Sequence, residues 1–181
     1  MKITKTLYAK SGEEWRMWLK MNHKKAKEIW LVYYKKESGK PRISYNEAVD
    51  EALCFGWIDS TVKRIDDKKM VQRFTPRRSG SPMSEMNKER VRRLIKAGKM
   101  TPDGLIHAGK LNAKLKIADD ILRVIKDNKE TWKNFKKFPF SYKRIRIAYI
   151  ENYRNRPEMF KKVLSNFLRK TAKNKKFGMV Q

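Results

Sequence analysis

The chain of 181 residues contains one cysteine, two histidines, eight glycines and six prolines, and it has no long apolar run. With Cys54 alone, the chain cannot form an intramolecular disulfide or a thiolate zinc site, and this pattern fits a reducing compartment. No apolar run is long enough to cross a bilayer, and the first residues lack the apolar core of a signal peptide. We therefore expect a cytoplasmic protein without a transmembrane segment.

The missing residue types and motifs also limit the chemistry. The sequence has no P-loop and no GxGxxG, HExxH or GxSxG motif, so it lacks common nucleotide-binding and hydrolase signatures. Cys54 lies between two apolar residues and far in sequence from His23 and His107, which favours a buried hydrophobe over a catalytic thiol. We predict no metal, no cofactor and no catalytic residue, and we keep as the alternative an enzyme that acts on a small phosphorylated or carboxylated metabolite.

Positive charge is what the chain has in excess. Lys and Arg total 46 against 19 Asp and Glu, which gives a formal net charge of +27. Charge of this size attracts polyanions, although lysine-rich surfaces also serve solubility, and both interpretations stay open. The candidate partners are DNA or RNA, a small anionic ligand and, less favoured, a peripheral anionic membrane surface.

Sequence periodicity divides the chain into two parts. Ile29–Tyr34 is the strongest strand pattern, and two later strands meet at an Asp-Asp turn, while Ser11, Ser44 and Thr101 are in position to cap helices. After about residue 110 only helical patterns occur. We predict an α+β fold, in which a small antiparallel sheet with helices occupies residues 1–110 and an all-helical basic module occupies residues 111–181.

The segment EALCFGWIDS, residues 51–60, is the first candidate site. The hairpin would bring Asp59 near Arg73 or Arg77, so that the arginines hold an anion, Asp59 orients an arginine and Trp57 forms an apolar wall. A helix N-terminus close behind would add free N–H groups. The alternative is an Asp–Arg ion pair with Trp57 in the core. The candidate anion-binding residues are Trp57, Asp59, Arg73, Thr75, Arg77, Ser84 and Asn87.

Basic residues suggest a second kind of site. A basic helix after Ser84 is followed by TPDGL, which outlines either a helix-turn-helix or a plain helical hairpin; the short second helix favours the hairpin. The C-terminal module interleaves basic and aromatic residues, a pattern that suits single-stranded nucleic acid or a packed helical core. The candidate nucleic-acid-binding residues are Arg78, Lys88, Arg92, Lys96, Lys99, Arg144 and Arg146.

The order and spacing of several motifs resemble one family. EALCFGWIDS, FTPRR-S and S-x-x-N followed by RVRRLIKAGKMTPDGL, with W-x-x-WL and SYNEAVDEAL upstream, are similar to the YdeI/OmpD-associated (OmdA-like) bacteriocin-protection family. The resemblance covers residues 15–110 and is weaker over residues 117–174. It implies a link to tolerance of bacteriocins or cationic antimicrobial peptides, with no established chemistry. Met83 stands where the family commonly has tryptophan, which implies weaker binding if that tryptophan stacks on a ligand.

Overall fold

The computed structural model describes residues 2–178 and divides them into two compact units. The N-terminal unit comprises the chain up to Met83 together with Arg90–Leu111. The C-terminal unit comprises Ser84–Glu89 and the described chain from Asn112 onward.

The N-terminal unit contains the sheet. Its strands are β1 (Thr6–Leu7), β2 (Ile29–Tyr34), β3 (Trp57–Arg64) and β4 (Lys69–Pro76). Its helices are α1 (Gly12–Asn22), α2 (Tyr45–Cys54), most of α3 (Glu85–Lys96) and α4 (Pro102–Ile106), with a 3₁₀ turn at Lys36–Ser38. Strands and helices in one unit followed by a helical unit confirm the predicted α+β fold class.

The strand order is β1-β2-β4-β3, which makes the sheet mixed. Strands β2, β4 and β3 pair antiparallel, as predicted, whereas β1 pairs parallel with β2. The parallel pair has a physical cause: α1 lies between β1 and β2 and returns the chain to the end of the sheet where β1 began.

Three helices of the N-terminal unit begin at the predicted capping residues. The side-chain oxygens of Ser11, Ser44 and Thr101 accept hydrogen bonds from backbone amides three residues later, at 3.3, 3.2 and 3.1 Å. These bonds satisfy amides that the first helical turn leaves without partners. The starts of α1, α2 and α4 are therefore determined locally by the sequence.

The sheet buries a different set of side chains on each face. One face, with Leu31 and Phe74, packs against Trp15 of α1 and residues of α2 in the main core. The other face holds Trp30 and Val71 in a smaller cluster. The two faces follow from the two-residue period of a strand.

The C-terminal unit is built around four further helices: α5 (Asp119–Lys126), α6 (Lys129–Lys137), α7 (Phe140–Glu151) and α8 (Pro157–Ala172). Its core contains Ile121, Phe135, Tyr142 and Phe167. The aromatic residues at helical spacing are thus largely packed inside, and the lysines between them lie outside. None of the helices in residues 2–178 is long and apolar enough to cross a membrane.

Candidate anion-binding site

The segment Glu51–Ser60 is a packing joint between α2 and β3. Trp57 is 1% exposed, donates from Nε1 to the His23 carbonyl at 3.2 Å and meets Trp18 edge-on at 5.8 Å. A side chain enclosed in this way cannot form the wall of an open pocket. Trp57 therefore has the core position that the sequence left as the alternative.

Cys54 holds α4 against this joint through its backbone. Its carbonyl accepts hydrogen bonds from the amide of Thr101 at 3.0 Å and from the hydroxyl of Thr101 at 2.6 Å. The side chain is fully buried, and burial raises the pKa of the thiol to about 11. Since the thiolate is the nucleophilic form, Cys54 is unsuited to catalysis at neutral pH.

The register of the hairpin separates Asp59 from Arg73. Asp59 lies opposite Phe74, whose ring is fully buried, whereas Arg73 is one residue away and points to the other face of the sheet. There Arg73 donates from Nε to Glu28 at 2.6 Å. The predicted proximity of Asp59 and Arg73 is therefore wrong: the register differs by one residue from the one that would set these two residues opposite each other, and a one-residue shift inverts the faces.

Asp59 instead belongs to a polar cluster of four residues: Tyr33, Tyr45, Asp59 and Gln72. Its Oδ2 accepts from the Tyr45 hydroxyl at 3.1 Å and from Gln72 Nε2 at 2.7 Å. The Tyr33 hydroxyl is buried, and no partner for it occurs among residues 2–178. Burial raises the pKa of Asp59, and it outweighs these hydrogen bonds and the charge of Arg90. The cluster therefore holds a carboxylate whose charge is poorly compensated.

Sequence reasoning missed three of these four residues. The two-residue period places Tyr33 on the face of Leu31, and Gln72 on the face of Phe74, in the otherwise apolar core layer. Gln72, a lone glutamine at a core-facing strand position, could have indicated the cluster, because a buried polar group needs a hydrogen-bond partner nearby. Tyr45, the first residue of α2, gives no such signal.

The charge of Asp59 should show in the pH dependence of stability. With its pKa raised in the folded state, Asp59 binds more protons there than in the unfolded chain, so the free energy of unfolding falls as pH rises through the interval between the two pKa values. Asp59→Asn keeps one oxygen for both donors and removes the charge. We expect this variant to be more stable than the wild type at pH 7, with the difference disappearing below about pH 4.

Asp59→Ala is the matched control for that experiment, because it removes the charge and the acceptor together. It leaves the Gln72 amide and the Tyr45 hydroxyl without their acceptor and should cost about 1–3 kcal/mol. Urea denaturation of the three proteins between about pH 3 and about pH 8 measures both effects, because this range spans the ordinary pKa of an aspartate and values raised above it. A pH-independent difference between wild type and Asp59→Asn would contradict the electrostatic interpretation.

Arg77 is a stronger candidate for an anion contact. It is 9% exposed, and its guanidinium donates to the carbonyl of Ser81 at 2.6 Å and to the Ser81 hydroxyl at 3.1 Å. No carboxylate pairs with it in the part of the chain that the structure describes. Burial alone lowers the pKa of Arg77. Thr75, two residues before it, lies half-buried opposite Ile58.

Ser84 and Asn87 are found in the C-terminal unit. The Ser84 hydroxyl accepts from the Asn87 amide at 3.2 Å, which makes Ser84 an ordinary cap for the start of α3. Lys88, one residue further, pairs with Glu85 at 2.7 Å. The Ser84 hydroxyl thus already satisfies one of the backbone amides at this helix N-terminus that the sequence predicted to be free donors to an anion.

The predicted nucleic-acid-binding residues divide by exposure. Arg78, Lys96 and Lys99 are exposed, whereas Arg92 donates to the Leu111 carbonyl. Helix α4 has five residues, too short for the base-reading helix of a helix-turn-helix. The structure also places Arg144 and Arg146 inside the C-terminal unit, at 8% and 7% exposure, so neither is displayed to a surface polyanion.

Four arginines are buried among the described residues, and they fall into two pairs. Arg90 and Arg144 each meet a carboxylate, at 2.7 and 3.0 Å. Arg77 and Arg146, equally buried, meet none within residues 2–178. A buried cation without a counter-charge is costly, so these two positions are the ones at which an anion would be compensated.

A cavity of about 440 Å³ lies elsewhere in the N-terminal unit, beside the 3₁₀ turn. Lys35, Lys40 and Lys68 line it together with Glu37 and Asp67, and Lys40 lies 4.4 Å from the centre of the Tyr34 ring. Charges of both signs line this cavity, so it does not select an anion.

Two family models match the chain. One, described as a domain of unknown function (DUF8412), covers residues 7–107, and the other, described as bacteriocin-protection, YdeI or OmpD-associated (OmdA), covers residues 114–174. Neither the curated proteins nor the solved structures give a match. The second model confirms the family resemblance and locates it in the helical segment, whereas the motifs first compared lie within the range of the first. Because residues 7–107 are more than half of the sequence, the chain belongs to the DUF8412 family, and the OmdA model matches a segment of its C-terminal part.

Proposed function

We propose that this protein is a nucleic-acid-binding module that holds a polyanion on exposed lysines of its OmdA domain. The observation that carries the proposal is a lysine stripe on α6, defined as Lys129, Lys133 and Lys137. All three are exposed and follow one another at intervals of four residues. Residues at this interval lie on one face of a helix, about 6 Å apart along its axis.

The balance of charge supports the same function. With 46 Lys and Arg against 19 Asp and Glu, ion pairs can neutralise only a minority of the cations. Arg90 and Arg144 form the least exposed ion pairs, and their side chains point into the interior. The lysines of the C-terminal unit point to solvent instead. The exposed lysines of that unit are Lys114, Lys116, Lys126, Lys129, Lys133, Lys136, Lys137, Lys161, Lys162, Lys173, Lys175 and Lys176.

Aromatic rings at the surface favour single strands over duplexes. Phe140 is 55% exposed and Tyr149 is 42% exposed, both on α7. Bases of a single strand stack on such rings, and a lysine-rich surface follows their phosphates. The proposal includes the cytoplasm, where nucleic acid is accessible and where Cys54 would stay reduced.

Binding of labelled single-stranded RNA and duplex DNA, followed by fluorescence anisotropy over a salt series, tests this function. We expect affinity for RNA to fall linearly with salt on logarithmic axes. Replacing Lys129, Lys133 and Lys137 by glutamine should reduce the slope by about three, roughly one for each phosphate that the variant can no longer neutralise.

The matched control replaces three exposed lysines of the N-terminal unit, Lys20, Lys25 and Lys35, by glutamine and so removes the same charge. We expect this triple variant to change the slope by less than half as much as the α6 variant. Equal effects of the two variants would mean that net charge acts without a defined surface. Undetectable binding to RNA and DNA at low salt would reject the function, and binding to anionic vesicles in its place would transfer it to a membrane surface.

The polar cluster around Asp59 supports a second candidate, an enzyme for a small phosphorylated or carboxylated metabolite. A half-buried carboxylate with a raised pKa, beside the tyrosine hydroxyls, is the type of group that serves in general acid–base catalysis. Its test is a melting-temperature screen of such metabolites. A dose-dependent shift in the wild type that disappears in Asp59→Asn supports the enzyme, and no shift with any metabolite class rejects it.

A further inference from the structure

Arg146 lies on α7 inside the C-terminal unit, enclosed by aromatic rings. Its guanidinium carbon is 5.9 Å from the centre of the Tyr142 ring, 5.4 Å from Tyr149 and 5.0 Å from Phe177. The residue is 7% exposed. Three rings from two separate segments of the chain thus form a box around one positive charge.

Among residues 2–178 the charge inside this box meets no counter-charge. Nε of Arg146 is buried without a hydrogen-bond partner, and no ion pair of Arg146 occurs in residues 2–178. Burial lowers the pKa of its guanidinium. Arg144, two residues earlier and equally buried, meets Glu85 at 3.0 Å, so the same helix compensates one arginine and leaves the other uncompensated.

Cation–π contacts offset only part of the desolvation of a guanidinium, and they leave its N–H donors unsatisfied. A guanidinium presents these donors in a planar fork that matches the oxygens of carboxylate and phosphate groups. The chain has thus placed a binding group for an oxyanion in a dry, aromatic environment and supplied no oxyanion of its own from the described residues.

Gly178 covers the open edge of this fork. A Cβ at Gly178 would lie 2.6 Å from one terminal nitrogen of Arg146 and 2.7 Å from the other, so the backbone lies directly against the guanidinium. Its φ of +85° is one that side chains rarely adopt. The segment Phe177–Gly178 thus occupies the place from which an oxyanion would reach the donors.

We propose that Arg146 is the anchor of a binding site for a compact oxyanion, a carboxylate or a phosphate group, which takes the place of the Phe177–Gly178 segment against the guanidinium. The anion accepts hydrogen bonds from the two terminal nitrogens against which Gly178 lies, and the buried ring of Tyr142 keeps water from the pair. This site is separate from the lysine stripe and does not depend on nucleic-acid binding.

The test compares wild type with Arg146→Met, Arg146→Lys and the control Arg123→Met, which removes an exposed charge from α5. Without added anion, Arg146→Met should raise the melting temperature by at least about 2 °C, because it removes an uncompensated buried charge at similar volume. Arg123→Met should change it by less than that. A fall in the melting temperature of Arg146→Met would show that the cation–π box is structural and overturn the proposal.

Inorganic phosphate and acetate, titrated at constant ionic strength, identify the ligand. Each is followed by melting temperature and by the ¹⁵N-resolved Nε–H resonance of Arg146, which reports on this side chain alone. Saturable movement of that resonance with either anion supports the site, and the anion that causes it identifies phosphate or carboxylate chemistry. Arg146→Lys, which keeps the charge but loses the fork, should lose the melting shift.

Phe177→Ala provides a second variant in case Arg146 substitutions unfold the unit. It removes the ring that covers the guanidinium, so it should lower the apparent Kd for the anion severalfold, roughly by the fraction of molecules it opens. If neither anion moves the Arg146 resonance in wild type or in Phe177→Ala, and both raise all melting temperatures equally, the anions act only by screening and the site does not exist.

Discussion

Gly104→Ala should destabilise the N-terminal unit by about 3 kcal/mol, the upper end of what overpacking a core costs. A Cβ at Gly104 would lie 2.6 Å from the carbonyl carbon of Cys54 and 3.0 Å from the Leu53 oxygen. Both are backbone atoms of the last two residues of α2, so they cannot move aside as a flexible side chain would. The sign of the change in the free energy of unfolding is informative, because a glycine-to-alanine substitution in an unobstructed helix stabilises by up to about 1 kcal/mol.

Urea denaturation followed by tryptophan fluorescence measures this effect, because four of the five tryptophans, Trp15, Trp18, Trp30 and Trp57, lie in the N-terminal unit. Ile106→Ala in the same short helix is the control, since Ile106 is 78% exposed and its truncation should cost less than about 0.5 kcal/mol. If Gly104→Ala is neutral or stabilising, α4 is free to move from the α2–β3 joint, and the interpretation of residues 51–60 as a packing joint fails.

The fold could be predicted because its determinants are local. Ser11 and Thr101 mark helix starts through side chains that reach only three residues ahead. The run Ile29–Tyr34 marks its strand by composition, and the structure gives the same bounds. The pairing of β1 could not be predicted, because a strand of two residues carries almost no pattern of its own.

The candidate site depended on register, and register is not local. Moving the hairpin by one residue changes the neighbour of Asp59 from an arginine to Phe74 and turns Arg73 to the opposite face. The partner that Arg73 finds, Glu28, is 45 residues earlier in the chain. Sequence spacing identified charged residues that matter but could not assign their pairs, because side-chain contacts between strands follow from the sheet and not from separation in sequence.

The cost of a buried, unpaired arginine can be measured in this protein directly, through Asp50→Ala. Asp50 accepts from Arg90 at 2.7 Å and also pairs with Arg93. Arg90 is 9% exposed, so the loss of Asp50 leaves a buried guanidinium without the carboxylate that pairs with it. We expect a loss of about 3–5 kcal/mol in the free energy of unfolding, the range found when one partner of a buried ion pair is removed.

Two further variants separate the buried charge from other effects. Asp120→Ala removes a carboxylate from an exposed pair with Arg154 and should cost at most about 1 kcal/mol. Adding Arg90→Met to Asp50→Ala should recover most of the loss, because it removes the charge that the first change exposed. A loss below about 1 kcal/mol for Asp50→Ala would mean that the interior tolerates an unpaired guanidinium.

That last outcome bears on Arg146 as well as on Arg90. Arg146 already has, in the native chain, the condition that Asp50→Ala creates for Arg90: burial, charge and no carboxylate among the described residues. If Asp50→Ala strongly lowers the free energy of unfolding, the native fold bears a comparable loss of stability at Arg146. The cation–π contacts of the rings alone do not offset such a loss. Residues that lower stability in this way are typical of binding sites, where the ligand compensates what the free protein leaves unpaired. The loss of stability measured for Asp50→Ala in the N-terminal unit thus indicates how large the cost of the unpaired Arg146 in the C-terminal unit is, and therefore how much an oxyanion could compensate.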